Sequence, residues 1–183
     1  MKSKFKTILF LSFIVAIISS CKEEDTPPIE NDEELITTVE LTFTNNSDPT
    51  DISTFVFKDT DGPGGNDPET FDTIRLNTMT EYELAITLLN ESVTPAEDIT
   101  VEVEEEGADH QFFFEVEPID LLSLSYNDTD VNGNPIGLIN TATTNSSGDG
   151  TLTVILKHQP GIKDGSVTTG ETDIELDFVV EVD

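Results

Sequence analysis

Only two histidines occur in this chain, His110 and His158, and each borders an apolar alternating segment. His110 follows Glu104-Glu105-Glu106-Gly107-Ala108-Asp109 and precedes Gln111-Phe112-Phe113-Phe114, whereas His158 ends the run Thr151 to Lys157 and precedes Gln159-Pro160-Gly161. Two imidazoles with two or three carboxylates form a first shell suited to zinc, copper or a similar borderline ion. Glu106 and Asp109 are the nearest carboxylates, and on a helix Glu102 would stack on Glu106 at i and i+4. No HxH or HExxH spacing is present, so only the fold can bring these donors together. Without a metal, the same histidines serve as loop caps.

Two acidic loops offer oxygen donors. Asp59-Thr60-Asp61-Gly62 runs on to Asn66-Asp67, and Asn127-Asp128-Thr129-Asp130-Val131-Asn132-Gly133 resembles the start of a calcium loop. Carboxylates alternating around a glycine bend can wrap a hard cation that takes six to eight oxygens, as a rough rule. Neither loop has the distal bidentate glutamate of an EF-hand, and Asx-rich turns also form without any ion. Other chemistries lack their residues. The chain has no GxSxG, no Gly-rich phosphate loop and no CxxC, and its one thiol is Cys21. With 38 acidic side chains, no glycosidase pair can be singled out. There is no Trp, and only Tyr82 and Tyr126 could supply a tyrosine platform for sugar; the Phe112-Phe113-Phe114 run reads as core with one outward ring. A non-catalytic protein is expected.

The elements that must position these residues are strands. Val39, Leu41 and Phe43 alternate with Thr38, Glu40 and Thr42, and Phe55 with Phe57 marks a second segment. Ile74 and Leu76, then Leu84, Ile86 and Leu88, give two more. Phe112, Phe114 and Val116, then Leu152, Val154 and Leu156, and finally Ile174, Leu176, Phe178, Val180 and Val182 complete the series. Period-two alternation with Gly/Asn/Asp/Pro turns between predicts a mainly β protein, an antiparallel Ig-like β-sandwich. Thr94-Pro95-Ala96-Glu97 reads as a capping box opening one short helix at about 95–106, with Gly107 at its end. Ile99, Val101 and Val103 also alternate as a strand would. Counting chain reversals from Leu35 puts both imidazoles at the same end of the sandwich under either reading.

The N-terminus carries an address. Lys2, Lys4 and Lys6 precede an apolar run of about 11 residues, Ile8 to Ile18, too short to span a bilayer, and then Ile18-Ser19-Ser20-Cys21. This ending resembles a bacterial lipobox, which makes 1–20 a signal peptide and Cys21 the lipidated first residue of the mature chain. Two or three acyl chains give stable membrane anchoring. Residues 22–34, acidic and carrying Pro27 and Pro28, read as an extended tether, and 35–183 as a single domain. Cys21-Lys22-Glu23-Glu24-Asp25 looks like the export signal that sends Bacteroidota lipoproteins to the outer face of the outer membrane; a periplasm-facing anchor is the alternative. The formal charge is −30, and loss of the three leader lysines leaves 38 acids against five bases, or −33. Such a surface repels nucleic acid.

Several stretches taken together resemble a known group. They are Thr94 to Phe114, containing Ala96-Glu97-Asp98-Ile99-Thr100 and Asp109-His110-Gln111-Phe112-Phe113; Lys157-His158-Gln159-Pro160; and Gly170-Glu171-Thr172-Asp173-Ile174-Glu175. They look like small Bacteroidota lipoproteins often labelled as having a type 1 periplasmic-binding fold. That label names a large α/β protein, whereas the strand pattern here predicts a sandwich. The resemblance implies an accessory role in uptake beside a TonB-dependent outer-membrane receptor. A structural or adhesive surface module stiffened by calcium is the competing expectation.

Overall fold

A computed structural model describes residues 35–62 and 64–183. The expected signal peptide, Cys21 and the 22–34 tether lie outside the described residues. The described residues are mainly β, with two facing sheets and one short helix. In order come β1 (Thr38–Asn45), β2 (Ile52–Lys58), β3 (Thr70–Phe71), β4 (Ile74–Leu76), β5 (Glu81–Asn90) and β6 (Glu97–Asp98). Helix α1 (Ile99–Glu105) follows, then β7 (His110–Glu117), β8 (Leu122–Tyr126), β9 (Ile139–Thr144), β10 (Gly148–His158) and β11 (Glu171–Val182). One sheet runs β3-β2-β1-β5-β9-β8, with β6 also on β5; the other runs β4-β11-β10-β7.

Alternation puts the expected residues inside. Val39, Leu41 and Phe43 from β1, Leu84 and Leu88 from β5, and Leu152, Val154, Leu156, Phe178 and Val180 from the facing sheet are all 0 % exposed. Burying each large side chain contributes roughly 1.5–3 kcal/mol. Phe71 joins the layers, its ring edge-on to Phe57 and to Phe178. The twelve described elements and this core lie within Glu33–Asp183, a compact unit with its own hydrophobic core, as a domain able to fold alone requires.

The structure departs from the sequence reading at three places. The helix starts at Ile99 instead of Pro95, because Glu97–Asp98 pairs with Leu89–Asn90 and the Asp98 carboxylate caps the Thr100 N–H at 3.1 Å. Ile99 and Val103 still share its buried face. One pairing, β4 with β11, is parallel, since the chain crosses between the sheets after the two-residue β3. The two-residue β3 is additional, and so are strands β8 and β9. Their inward residues include Asn140, Ala142 and Thr144, so β9 carries no large apolar alternation.

Candidate metal centre

His110 opens β7 and His158 closes β10, and the antiparallel register makes them direct cross-strand partners. The two rings stack with centroids 4.3 Å apart and planes 15° from parallel. Just outside the strands the pairing continues: the Gln159 N–H donates to the Asp109 carbonyl at 2.6 Å, and the Gly161 N–H to the Asp109 carboxylate at 2.9 Å. Asp109 therefore ties the two chain segments together behind the rings.

Helix α1 delivers the third donor. Glu106 is its C-cap residue, exposed at the domain surface, and Gly107 lets the chain turn tightly after it. A Cβ on Gly107 would sit 2.5 Å from Ile136 Cδ1 and 3.2 Å from the Glu104 carbonyl oxygen, so a larger residue there requires the end of the Ile136 side chain to move aside. The Glu106 carbonyl lies 3.3 Å from His110 Nδ1. Ligand atoms of Glu106, His110 and His158 all lie within 4.8 Å of one another. Bonds of about 2.0–2.2 Å to one ion need donors somewhat closer together than that outer limit, which rotation of the exposed Glu106 side chain can supply.

Behind the pair stands a residue that the sequence reading missed. His110 Nε2 lies 3.9 Å from Asp173 Oδ2, with both side chains fully buried. Asp173 occupies a register shift: Leu156 pairs with Ile174 and Lys157 with Thr172, leaving Asp173 as the extra residue of a bulge. Bulges re-aim side chains, and this one directs a carboxylate inward. At 3.9 Å this is an ion-pair contact; drawn in to hydrogen-bond distance, a carboxylate on the far nitrogen of a ligating histidine fixes the ring and raises its basicity. Glu102 sits exposed one helical turn before Glu106 and is not in the three-donor group.

The acidic loops are arranged differently. Asp128 accepts the N–H groups of Gly137, Leu138 and Ile139 at 2.7, 2.7 and 3.0 Å. Asp130 accepts from the Asn132 and Asn134 N–H groups and from Lys163 Nζ at 3.1 Å. These carboxylates brace the 127–139 loop through N–H donors, and Asn132 takes part as a backbone donor. In the other loop, Asp59 accepts from the Gly62 N–H, Asp61 from the backbone and side-chain amide of Asn66, and Asp67 is exposed. Lys163 also donates to the Gly107 carbonyl at 2.7 Å, so the β10–β11 loop, the β8–β9 loop and the end of α1 meet at one ammonium.

Burial would push the Asp130 carboxyl up, but its hydrogen bonds from Asn134, Lys163 and Asn132 outweigh this and hold it at about 2. An unfolded aspartate titrates near about 3.9. Because the folded value is depressed, Asp130 stabilises the fold above the unfolded value, and that contribution disappears as pH falls towards about 2. Between about pH 5 and pH 2 the melting temperature of the wild type is expected to drop more steeply than that of Asp130→Asn. Equal slopes in a calorimetric pH series would show that this carboxyl does not couple to folding.

No family model matches this chain, and no curated protein matches it.

Proposed function

We propose that this chain is a lipid-anchored, non-catalytic β-sandwich that binds a divalent transition-metal ion between His110, His158 and Glu106 and presents it to a TonB-dependent receptor of the outer membrane. The carrying observation is that the only two histidines of the sequence, 48 positions apart, stack in one cross-strand pair beside a carboxylate. Nitrogen donors with one oxygen favour zinc or copper over calcium. Ligation through His110 Nδ1 would take the place of that nitrogen's contact with the Glu106 carbonyl, with the ring proton then on Nε2, facing Asp173. The lysine-rich leader, the lipobox-like Ile18-Ser19-Ser20-Cys21 and the acidic Lys22–Asp25 segment support the address.

Calorimetric titration of residues 33–183 with Zn²⁺, in excess Ca²⁺ to saturate the acidic surface, tests the site. One equivalent is expected to bind, and His110→Ala/His158→Ala to weaken binding about 100-fold or more, with Asp173→Asn costing about tenfold. Saturation at 100 times Kd should stabilise the domain by about 2.7 kcal/mol. Zinc affinity unchanged in the double variant would remove the centre. Protease treatment of intact cells tests the orientation: digestion supports the surface address, and full protection places the anchor on the periplasmic side.

A further inference from the structure

The sandwich is open where its two edge strands β7 and β8 face each other. There Phe114 and Val116 from β7, Leu122, Leu124 and Tyr126 from β8, and Asn140 from β9 line a cavity of about 360 Å³. The size suits a small organic molecule. Leu122 and Asn140 are 1 % and 0 % exposed and form its floor, while Tyr126, 37 % exposed, stands at the mouth. The Phe114 and Tyr126 rings, 6.0 Å apart and inclined by 41°, give it an aromatic wall.

Two further observations restrict the occupant. None of the described residues lining the cavity is charged, although the chain carries 38 acids. An anion would therefore find no counter-charge inside and a repulsive field outside. The second observation is Asn140. Its Nδ2 donates to the Gly137 carbonyl at 2.7 Å, which fixes the amide orientation and leaves Oδ1 as the other atom. That Oδ1 is buried and accepts no hydrogen bond. Buried acceptors are normally satisfied, and leaving one unmade costs about 1–3 kcal/mol. The Tyr126 hydroxyl cannot supply the missing donor, since it already donates to the Phe112 carbonyl at 2.8 Å.

We infer that this cleft binds a small neutral ring compound bearing a hydroxyl or amine group, with the ring against Phe114 and Tyr126 and the donor on Asn140 Oδ1. The inference is independent of the metal centre, which uses none of these residues. A ligand that satisfies a buried acceptor is discriminated strongly from an analogue of the same shape without the donor.

The test uses 2-naphthol, 2-methoxynaphthalene and 2-naphthoate as probes of residues 33–183. The chain contains no Trp, so naphthyl fluorescence reads binding without interference. 2-Naphthol is expected to bind about tenfold more tightly than the methoxy analogue, with 2-naphthoate weakest. In Asn140→Leu the preference for 2-naphthol should vanish while 2-methoxynaphthalene still binds. Val116→Phe, which narrows the mouth, leaves Asn140 in place and adds no Trp, should exclude all three even if Asn140→Leu does not fold. Equal binding of the two neutral probes, tightest binding of 2-naphthoate, or no binding to the folded wild type would each overturn the inference. So would a concentration-dependent dimer that shuts the probes out, because the cleft would then be an edge-strand contact between two copies.

Discussion

Replacing Lys163 by methionine is expected to lower the stability of the domain by about 3–5 kcal/mol, measured by urea unfolding. The ammonium and the Asp130 carboxylate are 3 % and 1 % exposed, so neither is solvated as a surface pair would be. Methionine keeps most of the volume and removes the charge, leaving a buried carboxylate with only N–H partners from its own loop. The Gly107 carbonyl loses its 2.7 Å donor at the same time. Adding Asp130→Asn to the first change should recover a large part of the loss, since the amide oxygen still accepts from Asn132 and Asn134 and no charge remains buried. A loss below about 1 kcal/mol for Lys163→Met would mean that the pair is energetically a surface salt bridge.

Gly170→Ala is expected to cost about 2–5 kcal/mol and to disturb the proposed metal centre in the same stroke. Gly170 has φ +75, a conformation that L side chains rarely adopt, and a Cβ there would lie 2.1 Å from the His158 carbonyl oxygen and 2.8 Å from Gln159 Cγ. Backbone cannot give way as a flexible side chain would, so the end of β10 must shift, carrying His158 with it. Gly161→Ala is the control. Its φ is +67, but nothing lies within 4 Å of the added methyl, so it carries the dihedral cost without the clash. Zinc affinity should fall for Gly170→Ala and stay unchanged for Gly161→Ala. Similar melting temperatures for the two variants would show that β10 absorbs the methyl.

The sheet framework was legible because alternation is a local property. Val39, Leu41 and Phe43, or Leu176, Phe178 and Val180, declare their buried face without reference to any partner. Strand β9 was silent, since its inward positions include the polar Asn140 and Thr144, and the Thr144 hydroxyl meets its carbonyl partner Asn77 far away in sequence. In β8 the signal was present, with Leu122 and Leu124 alternating with serines, but the strand is only five residues long. Only β8 and β9 were overlooked between His110 and His158, and an even number leaves their relative direction unchanged, which is why the two could be placed at one end of the sandwich from the sequence. Their stacking could not be. It depends on cross-strand register, and the approach of Asp173 depends on a bulge, which leaves no mark in a single sequence. The carboxylates of the 127–133 loop show the complementary limit. Their spacing suits a cation, yet spacing cannot reveal that Asp128 meets three backbone N–H groups or that a lysine 33 positions from Asp130 reaches it.

The strand through which the chain enters the domain, β1, is bonded on both flanks: to β2 over seven residue pairs and to β5 over eight. A pull transmitted from the N-terminal side therefore meets an interior strand. It cannot unzip the sheet one bond at a time, as it could from an edge. Both ladders must yield together, along with the seating of Val39, Leu41 and Phe43 between the layers. Mechanical toughness is thus built into the place where load from the N-terminal side would arrive.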